Sequence, residues 1–223
     1  MAGKIIDLRS DTVTLPTENM RRAMYEAELG DDNSGEDPTV NKLQEMAAER
    51  LGKEAALLVT SGTQGNLVGI LSHTQHGDEA VVGDEAHCFL YEVAGAAALG
   101  GVQMRPVPNH GGRLDPREVE AVFRDPNNIH FPRTALVSME NTHNRGSGAA
   151  ITPQQTKAVA DVAHRHGIPV HLDGARIFNA AMALGIPPAE LTADVDSVTF
   201  CLSKGLSCPV GSLLCGSKEY IAR

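Results

Sequence analysis

The sequence has no tryptophan, and aromatic residues make up only 4% of its 223 positions. It also lacks a basic excess, because 19 lysines and arginines stand against 28 acidic residues and the net charge is −9. Binding to nucleic acid or to an acidic membrane surface needs clustered positive charge, so we expect neither as a partner. No apolar run approaches the roughly 20 residues that a membrane-spanning helix requires.

Cysteines are also few, and no two of them have CxxC spacing. A pattern of this kind is typical of reduced thiols in an intracellular protein and not of a disulfide framework. The first residues show neither the apolar core of a secretion signal nor the arginine-rich character of a transit peptide. We therefore expect a cytoplasmic protein, and the 42% hydrophobic content is enough for one sizeable core. The four cysteines are Cys88, Cys201, Cys208 and Cys215.

Helix and strand signals alternate along the chain. Short apolar runs predict strands at residues 56–60, 79–83, 102–107, 134–139, 168–173 and 197–202. Helices are predicted from Asp37-Pro38, after Thr63, over 90–99, from Asp115-Pro116, from the capping-box sequence TPQQ at 152–155 and over 175–184. This order predicts an α/β fold with a mostly parallel central sheet and helices on both faces.

Two charged residues are associated with the ends of these apolar runs. Lys204 follows the run at 198–202, and Asp173 ends the run at 168–173. Together they suggest a site for pyridoxal 5'-phosphate, in which the lysine amine forms a Schiff base with the cofactor aldehyde and the aspartate pairs with the pyridinium nitrogen. Taken singly, each has a simpler interpretation, as a surface lysine or as a helix-capping aspartate.

A phosphate position is predicted where TSGTQGN at 60–66 joins a strand to a helix. Gly62 lets backbone N–H groups approach an anion, and Thr63 adds a hydroxyl at the electropositive helix start. The alternative is an ordinary capped helix. His87 follows another strand and is a candidate to stack on the cofactor ring and to move protons, unless it is only a polar loop residue. His130 and His143 are further candidates.

No metal site is expected, because the histidines lack an i, i+4 pair with a carboxylate of the kind that zinc sites use.

Seven short motifs occur in the order found in threonine aldolases, which the chain resembles over nearly its whole length. The motifs are LRSDTVT at 8–14, GDD at 30–32, GEDPT at 35–39, SGTQ at 61–64, ENTH at 140–143, DGAR at 173–176 and LSKG at 202–205. The resemblance implies the aspartate-aminotransferase fold (fold type I of the pyridoxal phosphate enzymes) and membership of the β-eliminating lyase group. It also implies cleavage of L-threonine or L-allo-threonine to glycine and acetaldehyde.

The same resemblance implies a β-hydroxy-α-amino acid substrate, a role in threonine catabolism and glycine biosynthesis, and a homotetramer built as a dimer of dimers. It assigns a role to each matching position. Catalytic residues would be Lys204, His87 and His130, the last near the substrate hydroxyl. Cofactor-binding residues would be Gly62, Thr63, His87, Asp173, Arg176 and Lys204, and substrate-carboxylate contacts would be Ser10 and Arg176. The identity of the general base stays open.

Two features depart from the family pattern. Asn33 and Ser34 stand where the family carries an aromatic residue, and the family continues into a C-terminal small domain that supplies a further arginine. We therefore expect residues 1–223 to hold an N-terminal segment and the large cofactor-binding domain without the small domain. Two alternatives stay open: a truncated homologue with little or no activity, and a related enzyme that catalyses β-elimination or transamination.

Overall fold

A computed structural model describes residues 6–223, which contain a seven-stranded sheet with helices on both faces. The strand order is β1-β7-β6-β5-β4-β2-β3; β7 is antiparallel to both of its neighbours, and the other pairs are parallel. The predicted mostly parallel α/β sheet is confirmed. The strands are β1 Ala55–Val59, β2 Glu79–Gly83, β3 Gln103–Val107, β4 Thr134–Glu140, β5 Val170–Asp173, β6 Ser197–Cys201 and β7 Ser212–Gly216.

The helices connect these strands and cover the sheet. They are α1 Glu18–Tyr25, α2 Pro38–Arg50, α3 Gly62–Leu71, α4 His87–Leu90, α5 Gly95–Gly100, α6 Pro116–Ala121, α7 Pro153–Arg165, α8 Ile177–Leu184, α9 Pro188–Leu191 and α10 Lys218–Ala222. Two helix starts follow the predicted chemistry. Asp37 caps α2 by accepting from the backbone N–H groups of Thr39 and Val40, and Thr152 forms a capping box with Gln155 at α7.

The segment between β2 and β3 differs from the prediction of one helix over residues 90–99. It forms α4 and α5, separated by a turn in which Val93 and Ala94 have φ of 54°. The small residues favour a helix locally, but the turn buries the Glu92 carboxylate, which accepts hydrogen bonds from Asn66 and His87. These buried contacts override the local helix propensity.

Two apolar clusters lie on opposite faces of the sheet. The larger contains side chains of α2, α7, α8 and α9, and the smaller contains side chains of α3 and α5. Strand β5 shows the alternation that this requires: Val170 and Leu172 belong to the larger cluster, while His171 and Asp173 point the other way. Among the described residues, no helix is both long and apolar enough to cross a lipid bilayer.

Candidate active site

Three buried carboxylates meet near the carboxyl ends of the parallel strands. Glu140 ends β4, Asp173 ends β5 beside it in register, and Glu92 comes from the turn after α4. Lys204 follows the end of β6 at the same edge. Parallel strands direct their carboxyl ends to one edge, which explains how residues distant in sequence are brought together here.

Asp173 is 3% exposed and is held by two donors. Its Oδ2 accepts from Asn66 Nδ2 at 2.8 Å, and its Oδ1 accepts from the Ala175 backbone N–H at 3.0 Å. Among the described residues, no lysine or arginine forms an ion pair with it. A buried carboxylate usually has a cationic partner, so Asp173 is suited to pair with a protonated nitrogen of a ligand.

Glu92 connects this aspartate with His87. Glu92 Oε1 lies 2.8 Å from His87 Nδ1 and accepts from Asn66 Nδ2 at 2.8 Å. Because a carboxylate only accepts, Nδ1 carries the proton, and Nε2 of a neutral His87 is left with its lone pair. The hydrogen bond to Glu92 raises the pKa of His87, and the charge of Asp173 acts in the same direction.

The ligand atoms of His87, Glu92 and Asp173 lie within 4.8 Å of one another, a spacing that could hold a metal ion. The same atoms are already engaged in hydrogen bonds: Glu92 Oε1 with Asn66 and His87, and Asp173 Oδ2 with Asn66.

Glu140 titrates far from the range of an exposed carboxyl group. Burial, reinforced by the nearby charge of Asp173, raises the pKa of Glu140 to about 7. Its two oxygens accept from the backbone N–H groups of His87 and Asn144, both at 2.8 Å. These bonds fix the start of α4, and with it the position of the His87 ring.

The predicted phosphate position lies at the start of α3. Ser61 caps the helix by accepting from the Gln64 N–H, which leaves the N–H groups of Gly62 and Thr63 directed out of the first turn. Packing also requires glycine at position 62, since a Cβ there would lie 2.7 Å from Cys201 Sγ. The sequence interpretation did not foresee this second constraint.

The N-terminal segment reaches the site through two contacts. Arg176 donates to Asp11 from Nε at 2.7 Å and from Nη2 at 2.8 Å, and this pair lowers the pKa of Asp11. Thr14 Oγ1 donates to the backbone oxygen of Lys204 at 2.6 Å. Ser10, next to Asp11, is exposed, and its hydroxyl accepts from Thr12. These contacts bring the segment that contains Ser10 to the region of Arg176 and Lys204, and the predicted roles of the three residues stay predictions.

His130 is not brought to this region within one chain. It lies in an exposed turn ahead of β4, whereas Glu140 ends that strand. Its neighbours Asn128 and Phe131 line a cavity of about 680 Å³ at the amino ends of the strands. Seven residues of strand separate the two edges by roughly 20 Å. Within a single chain His130 therefore lies far from the site, and its predicted proximity to the substrate stays a prediction.

His143 is 1% exposed and faces the protein interior. Its Nδ1 accepts from the Gly146 N–H, and its Nε2 lies 3.8 Å from Glu140 Oε2 without a hydrogen-bond partner. Burial lowers the pKa of His143. Its contacts belong to the loop that supports Glu140.

Sequence interpretation missed Asn66 and Glu92 and gave Glu140 no role. Asn66 lies within the motif assigned to phosphate binding, one turn after Gly62 in α3, and this helical spacing turns it toward the sheet. Glu92 had only the signal of an isolated charge within an alanine- and glycine-rich stretch.

Comparison with known proteins places the chain in a family. A family model described as beta-eliminating lyase matches residues 7–223. The chain is 46% identical over 226 residues to low-specificity L-threonine aldolase 1 of Arabidopsis thaliana, covering 100% of this chain and 63% of that protein. It is 48% identical over 219 residues to the low specificity L-threonine aldolase of Escherichia coli K12, covering 98% of this chain and 65% of that protein.

The fold is shared with solved structures. A threonine aldolase of Leishmania major superposes with a TM-score of 0.78 at 20% identity, over 95% of this chain and 62% of that one. The predicted fold type I architecture is confirmed. The chain spans 63–65% of the length of the two curated relatives described above.

Proposed function

Because the chain belongs to the beta-eliminating lyase family, we propose that it is a pyridoxal phosphate-dependent aldehyde-lyase acting on L-threonine and L-allo-threonine. The products would be glycine and acetaldehyde, which would place it in threonine catabolism and glycine formation. The observation that carries the proposal is Asp173, a carboxylate that is 3% exposed and has no lysine or arginine partner among the described residues, near the loop that holds Lys204. Low-specificity L-threonine aldolases that are 46–48% identical support the choice of substrate.

The residues present fit the cofactor. Asp173 would accept from the protonated ring nitrogen, the first turn of α3 would hold the phosphate through the N–H groups of Gly62 and Thr63, and Lys204 would provide the amine. When bound, pyridoxal phosphate supplies an aldehyde that binds amines covalently and a ring that stabilises negative charge on the substrate. A negative charge at Asp173 would favour the protonated ring nitrogen, because a carboxylate stabilises a neighbouring positive charge.

The polar side chains around this position have separable tasks. His87, oriented by Glu92, presents Nε2 and can hold or move a proton there. Arg176 is the group suited to a substrate carboxylate, because its planar guanidinium binds carboxylates through two hydrogen bonds. Asp11 occupies that guanidinium in the present structure, so a substrate carboxylate would bind beside Asp11 or displace it.

Further parts of the proposal concern the whole protein. We propose that residues 1–223 hold an N-terminal segment and a large cofactor-binding domain. Several apolar side chains near the site are exposed, which favours a homo-oligomer such as a dimer of dimers. Buried free thiols favour a cytoplasmic location. The exposed side chains include Leu90, Tyr91, Val93 and Leu99.

The test combines product analysis with one substitution. Chain incubated with pyridoxal phosphate and L-allo-threonine should release glycine and acetaldehyde, whereas 2-oxobutanoate and ammonia would indicate elimination, and a new amino acid from an added oxoacid would indicate transamination. Lys204→Ala should lose the visible absorbance band of the bound cofactor and the adduct trapped by borohydride, while Lys42→Ala, at an exposed position of α2, should keep both. Cofactor binding without turnover would support the alternative of an inactive homologue.

A further inference from the structure

Buried polar side chains form a row between α3 and the sheet. His171, Ser197 and Thr199 lie on the sheet face that α3 covers, and each is at most 1% exposed. The row reaches Asn66 on α3, which is 2% exposed, and then Asp173. Polar groups this deeply buried are hydrogen-bonded as a rule, so the donor and acceptor at each position can be assigned.

The orientation of the Asn66 amide follows from its partners. Its nitrogen lies 2.8 Å from both Glu92 Oε1 and Asp173 Oδ2, and ionised carboxylates only accept. Its oxygen accepts from Thr199 Oγ1 at 2.9 Å. A flipped amide would place its oxygen against two carboxylates, so one orientation is strongly favoured. Both N–H bonds of the amide are thereby used on the two acids.

His171 continues the row in one tautomer. Its Nε2 lies 3.4 Å from Asn66 Oδ1, which can only accept, so Nε2 carries the proton. Its Nδ1 therefore accepts from the Ser197 hydroxyl at 2.8 Å. Ser197 has then used its single proton, and His73 Nε2 donates to it at 2.8 Å. Burial lowers the pKa of His171 to about 3, which keeps the ring neutral and the direction unchanged.

We propose that Asn66 is a positioning residue that holds Asp173 and Glu92 side by side as acceptors, and that the chain His73–Ser197–His171 reinforces the orientation of its amide. The proposal rests on the proposed function in so far as Asp173 and His87 serve the cofactor. Every donor in the chain points toward the two acids. Asn66 thus couples the partner of the ring nitrogen with the residue that orients His87.

The first experiment reads the chain without cofactor. In ¹⁵N NMR spectra of the parent chain, His171 (assigned with His171→Gln) should show a single tautomer with the proton on Nε2. Asn66→Ala removes the acceptor for that proton, so the His171 nitrogen signals should move toward the average of two tautomers. Ser197→Ala should shift the Nδ1 signal of His171. This variant replaces Asn66→Ala in the measurement if Asn66→Ala does not fold. Unchanged His171 signals in these variants would overturn the chain.

The second experiment reads the effect on the site. Asn66→Ala and Asn66→Asp should each weaken pyridoxal phosphate binding about tenfold or more, because both lose the N–H donors to Asp173 and Glu92. The aspartate variant keeps the shape of the side chain, so its loss separates donation from packing. The control is Thr192→Val, which removes a buried hydroxyl that donates to the Leu51 backbone oxygen outside the row. This variant should bind pyridoxal phosphate as the parent does.

The two experiments fail separately. Cofactor affinity within twofold of the parent in both Asn66 variants would refute the positioning role. A parent chain that binds no pyridoxal phosphate would refute the proposed function, and the NMR measurement would still decide whether Asn66 and His171 have the assigned orientation.

Discussion

Asp173 owes its proposed role to a charge, and a neutral amide tests this directly. We expect Asp173→Asn to keep much of the affinity for pyridoxal phosphate but to lose turnover roughly hundredfold, about 3 kcal/mol of transition-state stabilisation. The measurement is steady-state cleavage of L-allo-threonine beside a cofactor titration. Asp161→Asn, at an exposed position of α7, is the control. Near-normal turnover in Asp173→Asn would mean that this aspartate serves only to cap the turn at Ala175.

Glu140 should make the stability of the cofactor-free protein depend on pH. Its pKa is raised from 4.5 to about 7 in the folded state, so its contribution is complete below pH 4.5 and is lost as pH rises through 7. Relative to the parent, Glu140→Gln should therefore gain about 3 kcal/mol of unfolding free energy over this interval. Urea unfolding at several pH values measures it, with the exposed Glu45→Gln as control. A constant difference between variant and parent would contradict the assignment.

The site shows which residues a sequence can reveal. Asp173 and Lys204 were predicted because each is associated with the end of an apolar run, where β/α proteins place functional groups. Asn66 and Glu92 were not, since their importance arises from one amide contacting two acids that are 26 and 107 residues away in sequence. His130 was assigned from resemblance alone, and the fold of one chain leaves it at the opposite edge of the sheet.

At the scale of elements, helix α3 lies unusually close to the sheet because glycines face it. A Cβ at Gly65 would lie 2.9 Å from Thr199 Cγ2, and one at Gly69 would lie 2.5 Å from His171 Cε1. This close approach allows the short Asn66 side chain to reach Asp173. The glycines thus belong to the site although they carry no reactive group.

Gly69→Ala should therefore both destabilise the protein and disturb the site. The His171 ring is held at both nitrogens and cannot easily move away, so we expect a loss of about 1–3 kcal/mol from overpacking. Thermal unfolding and the His171 nitrogen signals report the two effects. Gly95→Ala is the matched control, because its Cβ would meet only Leu67 at 3.6 Å. Equal stability of the two variants would show that α3 can shift without consequence.

Elements were predictable where local chemistry determines them. The capped starts of α2 and α7 and the bounds of β2 follow from residues within a few positions. Strand β7 was not foreseen, because LLCG after a glycine-containing loop has no strong periodicity, and its place is set by pairing with β1 and β6. The break between α4 and α5 likewise depends on distant partners of Glu92.

At the scale of the whole molecule, the buried His171 and the half-buried His73 should limit stability in acid. Burial lowers the pKa of His171 to about 3 and that of His73 to about 4, from 6.5. Their contribution is complete above pH 6.5 and is lost as pH falls through the folded-state values, because the unfolded chain takes up the protons first. For His171 the loss between pH 6.5 and about 4 should approach roughly 3 kcal/mol.

Equilibrium unfolding at pH values from 7 to 4 measures this loss of unfolding free energy. His171→Gln should lower stability at neutral pH and flatten the dependence below pH 6.5, with His76→Gln, at an exposed position, as the control. A slope retained in His171→Gln would assign the acid sensitivity to other groups.

The position of β7 has a consequence for how the chain acquires its shape as it is synthesised. This strand is the last of the seven in sequence, yet it separates β1 from β6, and β1 has no other partner in the sheet. The ribosome must therefore synthesise more than 150 residues after β1 before the partner strand β7 exists. Until then the strand that leads into the start of α3 lacks its partner, so we expect the phosphate position to form only after β7 has been made. A growing chain would expose an unpaired apolar strand until β7 has been synthesised, which is the condition under which chaperones and early association with other chains matter most.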